Sequence, residues 1–127
     1  MSEFTQLWLK AFLWTLALET PIYLLWLRSR FEAWWAPLVV SLVAQVTTHP
    51  ALWFIVPEIF PQCGIDGECR PYWQWVLVCE LGVTAVEVAV VYIALRGRLT
   101  ALRALGLAAA TSVTANLFST LVGLWML

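Results

Sequence analysis

The sequence predicts an all-α, polytopic membrane protein: four transmembrane helices in one antiparallel bundle. Three observations predict it. The 127 residues are 62% hydrophobic and 12% charged, with a mean hydropathy of +0.83, whereas an average soluble domain is about 45–50% apolar and about 25% charged. Four apolar stretches, at about 7–27, 37–56, 73–95 and 102–127, each approach the roughly 20 residues that a helix needs to cross a bilayer. None of them alternates over about ten residues as a membrane β-barrel strand must, and lipid admits only helices and closed barrels. A single domain therefore fills residues 1–127.

The opening residues, MSEFTQLWLK, lack the basic start of a signal peptide, and no small-residue cleavage site follows the apolar stretch, so they do not read as a cleavable signal. The loop RSRFEAWW carries Arg28 and Arg30, and RGRLTALR carries Arg96, Arg98 and Arg103. If all four stretches span, both loops lie on one side. They hold five of the seven basic residues, so the positive-inside rule makes that side cytoplasmic. The termini and the loop PQCGIDGECRPYW then face the outer side of a bacterial inner membrane, against which Lys10 is a mild counter-signal. Trp8, Trp34, Trp35, Trp73, Trp75 and Trp125 fall near helix ends, where interfacial anchors belong. A net charge of −1 argues neither for nor against an acidic partner, and no basic run points to nucleic acid. The partner that composition implies is the lipid bilayer.

Cys63 and Cys69 flank GIDGE in the outer loop. Gly64 and Gly67 permit the sharp reversal that a short disulfide ring needs, and an oxidising periplasm favours the bond. A metal pair or a redox dithiol is the functional alternative to this structural clip. Cys79, inside the third stretch, reads as a small core residue.

Ionisable groups at membrane depth cost about 2.5–3.5 kcal/mol each on insertion scales. This chain places Glu19, His49, Glu80 and Glu87 there, with Gln45 and Asn116 beside them. Counting about 1.5 Å per residue from the cytoplasmic helix ends puts Glu19, Gln45 and Glu87 at roughly 12 Å. The same count puts His49, Glu80 and Asn116 at roughly 18 to 22 Å, as a second layer. Gln45 and His49 are four residues apart. Glu80, Thr84 and Glu87 share a face, as do Thr15, Glu19 and Tyr23, and Ser112, Asn116, Ser119 and Thr120. Lipid turns each polar stripe inward, so His49 is expected to face Glu80, Asn116 or both. Pro21 and Pro50 would kink their helices beside these groups and free the carbonyls of Ala17 and Val46. Ordinary proline tolerance in membrane helices accounts for them equally well. Thr20, Thr47 and Thr48 can bond back to their own helices.

ETPIY at 19–23, THPALWF at 48–54, VEVAVVY at 86–92 and TANLFS at 114–119 resemble a group of small bacterial four-helix membrane proteins. That group carries Glu-x-Pro, Thr-His-Pro, Val-Glu followed by Tyr, and Ala-Asn-x-x-Ser, one signature per helix. The resemblance implies the architecture and brings no activity. A weaker resemblance links the chain to intramembrane proteases of the CAAX-processing type, which use glutamates, histidines and an asparagine at membrane depth. This chain lacks their adjacent Glu-Glu pair followed by Arg and has one histidine.

Three functions compete. In the first, the cluster binds or relays a cation, a proton or a divalent metal, with His49, Glu80, Glu87 and Glu19 as ligands and Asn116 as a neutral oxygen. A pathway through so small a bundle would call for a homodimer or a larger membrane complex. In the second, the chain is an intramembrane hydrolase. Glu19, Glu80 or Glu87 would act as general base on water, and His49 and Asn116 would steady an oxyanion. In the third, the chain is an accessory subunit whose polar groups only pin helices together. Such bonds average about 0.6 kcal/mol, and three glutamates with a histidine exceed what pinning requires.

Overall fold

A computed structural model describes residues 1–126 of the chain. It is all-α. Helix α1 spans Glu3–Leu27, α2 spans Ala36–Ile59, α3 spans Tyr72–Leu95 and α4 spans Ala101–Met126. The expected end of the last helix at Leu127 lies outside the described residues. The helices run up and down in chain order. Around the ring, α1 packs on α2, α2 on α3, α3 on α4 and α4 back on α1.

Helix α1 starts at Glu3 rather than near Leu7 because Ser2 caps it. The Ser2 hydroxyl accepts from the Thr5 N–H at 3.2 Å, and Glu3 adds an acid to the first turn. Pro21 sits inside α1 without ending it. Thr20, expected to bond back to its own helix, instead meets Ser41 of α2 at 3.1 Å. Thr47 and Thr48 do bond back, to Val43 O at 2.7 Å and Ala44 O at 2.9 Å.

Helix α2 outlasts the expected end near Val56. After Pro50 it widens into a π-helical turn over Ala51–Ile55, then resumes as Val56–Ile59. Pro50 and Pro57 lack an N–H, so the carbonyls of Val46 and Trp53 lose their α-helical donors on either side of this turn. The Val56 N–H reaches back to Ala51 O, five residues away.

Helices α2, α3 and α4 are long and apolar enough to cross a membrane. Helix α1 is equally long, at 25 residues, but carries Glu3, Lys10 and Glu19 and falls outside that set. The bundle is inverted relative to a soluble protein. Leu13, Leu25, Leu81, Ile93 and Leu117 face outward, while Glu19, Gln45, Glu87, Thr111 and Ser112 are fully buried. Trp34, Trp73 and Trp125 are exposed at helix ends, as interfacial anchors are.

The two ends of the bundle differ. At the end of the two arginine loops, Tyr23, Leu27, Val40, Val91, Leu95 and Ala104 close a dry core. There the Arg98 guanidinium lies 4.8 Å from the Phe31 ring, joining the two loops, and Gly97 takes the left-handed backbone that turns α3 into α4. At the opposite end the Cys63–Cys69 disulfide is formed, with Gly67 in the left-handed region. Arg70 donates to Pro61 O at 2.9 Å and covers the Phe60 ring, and Trp75 donates to Phe60 O at 2.8 Å. The disulfide loop is thereby tied to the ends of α2 and α3. Cys79 is free and buried, as a core residue.

Candidate functional site: a buried carboxyl pair below an open cavity

Above the dry core, all four helices contribute one polar cluster. Glu19 comes from α1, Gln45 and Thr48 from α2, Glu87 from α3, and Asn116 and Ser119 from α4. Gln45 sits at the centre. Its side-chain N–H2 donates to Glu19 Oε2 and, at 3.3 Å, to Glu87 Oε1. One amide therefore clamps both carboxyls. Asn116 donates to Glu87 Oε2 and to Ser112 O on its own helix. Ser119 Oγ lies 2.5 Å from Glu19 Oε1, and Thr48 Oγ1 lies 3.0 Å from Glu87 Oε1.

These two hydroxyls share a property. Thr48 Oγ1 is also 2.9 Å from Ala44 O, and Ser119 Oγ is also 3.2 Å from Asn116 O. A hydroxyl has one hydrogen and two lone pairs. Each can donate to its carboxylate, or turn that hydrogen to the backbone carbonyl and accept from a carboxylic acid. Both protonation states of Glu19 and Glu87 are thus satisfied without moving a heavy atom. The buried Tyr23 hydroxyl faces Glu87 and Ser112 but makes no close hydrogen bond, and Ser112 Oγ is likewise unpaired.

The expected layer of Glu19, Gln45 and Glu87 forms, and Asn116 joins it rather than the upper layer. Helical side chains lean towards their own N-termini. Glu19 and Glu87, on α1 and α3, lean towards the disulfide end, whereas Gln45 and Asn116, on the antiparallel α2 and α4, lean the other way. The four tips meet.

The same lean separates the upper residues. His49 does not reach Glu80 or Asn116, contrary to expectation. Its Nε2 lies 3.4 Å from Thr15 Oγ1, its ring packs between Phe12 and Trp53, and its Nδ1 is buried without a partner. Glu80 leans away from His49 and lies half-buried beside Thr120. Of the four candidate metal ligands, Glu19 and Glu87 are brought together on Gln45, while His49 and Glu80 bond to neither of them. Among the described residues no three His, Cys, Asp or Glu side chains converge to hold a metal ion.

The carboxyl pair is the floor of a cavity of about 580 Å³. His49, Glu80 and Thr15 stand on its walls, with Trp14, Trp53 and Val83 between them, and Lys10 and Tyr72 near the end that bears the disulfide loop. Sequence reasoning missed Thr48 as a partner of Glu87, although it lies three residues from Gln45 and so shares its face. It also missed the aromatic wall, which no polar pattern marks. ETPIY, THPALWF, VEVAVVY and TANLFS supply Glu19, Thr48, Glu87 and Asn116 to the cluster, one motif per helix. In comparisons with known proteins, no family model, curated protein or solved structure matched the chain.

Proposed function

We propose that this chain is a multi-pass inner-membrane protein that takes up and releases a cation, in the first place a proton, at the Glu19–Glu87 pair. All four helices span in this reading. Helix α1, the least apolar, completes the ring between α2 and α4 and hides Glu19 from lipid. The arginine-bearing end is cytoplasmic, so the cavity opens outward.

The observation that carries the proposal is the pair of two-acceptor hydroxyls. A carboxyl that gains and loses a proton needs a neighbour that can donate to one form and accept from the other. Thr48 and Ser119 each have a backbone carbonyl to turn to. A buried charge needs a partner or a proton. No basic side chain bonds to either carboxyl among the described residues. We likewise propose kinship with the small four-helix membrane proteins that the four motifs resemble, because one residue of each motif lies in this cluster.

Infrared difference spectroscopy on the purified protein tests the proposal. A carboxylic-acid C=O band should rise and fall reversibly as pH is stepped, and E19Q or E87Q should remove part of it. Surface carboxyls titrate too, but those substitutions leave them alone. A difference spectrum identical in wild type, E19Q and E87Q would overturn the proposal.

A further inference from the structure

The cavity has a neighbour on the side of the bundle. A second space of about 600 Å³ lies between α2 and α3 and shares Leu52, Trp53, Tyr72 and Glu80 with it. Phe54 and Pro57 of α2 and Val76 of α3 line its outer part. The two spaces adjoin, and an apolar chain laid through both would run from the carboxyl floor to the gap between α2 and α3. The cavity volume lies within the roughly 300–1,000 Å³ of small-molecule sites, which are mostly apolar with a few fixed polar groups.

Two features of this space select a ligand class. The floor and wall carry three carboxyl groups, Glu19, Glu87 and Glu80, against a single cationic side chain, Lys10. The indoles of Trp14 and Trp53 and the Tyr72 ring offer faces that attract cations and cover apolar groups. A metal ion would need converging ligands, and the aromatic walls offer it none.

We propose that the cavity binds an amphiphilic primary amine as its ammonium, with –NH3+ on the Glu19–Glu87 floor and the hydrocarbon chain leaving between α2 and α3. This rests on the proton reading of the same pair and adds to it. Glu19 and Glu87 are fully buried in the free protein, so the ammonium reaches them by displacing the Ser119 and Thr48 hydroxyls, whose hydrogens can turn to backbone carbonyls, and brings three N–H donors in their place. It also brings the positive charge that the proton otherwise supplies. Binding therefore releases a proton from the pair, which leaves through the cavity mouth to water, and the ammonium replaces it in the charge balance. A free alkylamine and a phosphatidylethanolamine headgroup share this chemistry.

Decylammonium is the probe, added to the protein in phosphatidylcholine nanodiscs under weak buffering, with decanol as neutral control and empty discs subtracted. We expect saturable binding by calorimetry, release of about one proton per amine bound at a pH where the pair is protonated, and no matching response to decanol. E19Q and E87Q should each weaken the amine at least tenfold. Either variant suffices if the other misfolds, as judged by gel filtration. V76W, which fills the space between α2 and α3, should weaken decylammonium more than butylammonium. In phosphatidylethanolamine discs, a tenfold weaker decylammonium would identify a competing headgroup, and an unchanged affinity would identify a free amine. Equal responses to decylammonium and decanol, or variants that bind like wild type, would overturn the inference. The infrared titration separates the two readings. If it succeeds while the amine fails, only the ligand class falls; if it fails too, both fall.

Discussion

Thr15 Oγ1 and His49 Nε2 lie 3.4 Å apart and join α1 to α2 on the cavity wall, away from both clamped carboxyls. The one histidine of the chain thus belongs to the wall and not to the floor. H49A should keep the Glu19 and Glu87 infrared signal. It should lower stability by about 2 kcal/mol, because it empties the space between Phe12 and Trp53. Unfolding in a graded detergent mixture measures the second quantity. Loss of the carboxyl signal in a folded H49A protein would place His49 in the floor after all.

Gln45 spends both amide hydrogens on carboxyls, so its removal orphans two groups at once. Q45L should destabilise the bundle by about 1–3 kcal/mol. The double variant E19L/Q45L should cost less than the sum of the two single changes, since the residues share one bond network. Strict additivity in the same unfolding assay would mean that the clamp contributes nothing.

T48V removes the hydroxyl from Glu87 but keeps the side chain's shape. The fold should persist, and the Glu87 part of the infrared band should shift in frequency, since the acid form loses its acceptor. S119A should shift the Glu19 part instead. Identical spectra for T48V and wild type would show that the hydroxyl plays no part in protonation.

The orientation predicts which thiols a membrane-impermeant reagent reaches. In intact cells treated with a mild reductant, Cys63 and Cys69 should be labelled from outside, whereas the buried Cys79 should not. Labelling of the pair only after lysis would reverse the topology and turn the cavity towards the cytoplasm.

The four helices were legible because apolar length is a coarse signal that survives small errors in their ends. The level of Glu19, Gln45 and Glu87 was legible too. Each lies only a few turns from a short loop, so little error accumulates in counting the rise. Asn116 and His49 were misplaced because rise locates Cα atoms, while hydrogen bonds form at side-chain tips, which lean in opposite directions on antiparallel helices. The π-turn was not foreseen. Pro50 predicts a kink, and no apolar or polar periodicity marks the wide turn that lies between it and Pro57.

A π-turn holds one residue more than the α-turn it replaces, so Ala51–Ile55 amounts to a single-residue insertion in α2. Removing any one of those residues would restore α register and swing Val56–Ile59 by about 100° around the axis. Phe54 would leave its seat against Phe4 and Trp8, and the α2 wall of the space between α2 and α3 would be rebuilt from different side chains. The shape of the space between α2 and α3 is therefore encoded in the length of the chain between two prolines, and a one-codon deletion there is the smallest genetic change that would re-cut it while leaving Glu19 and Glu87 in place.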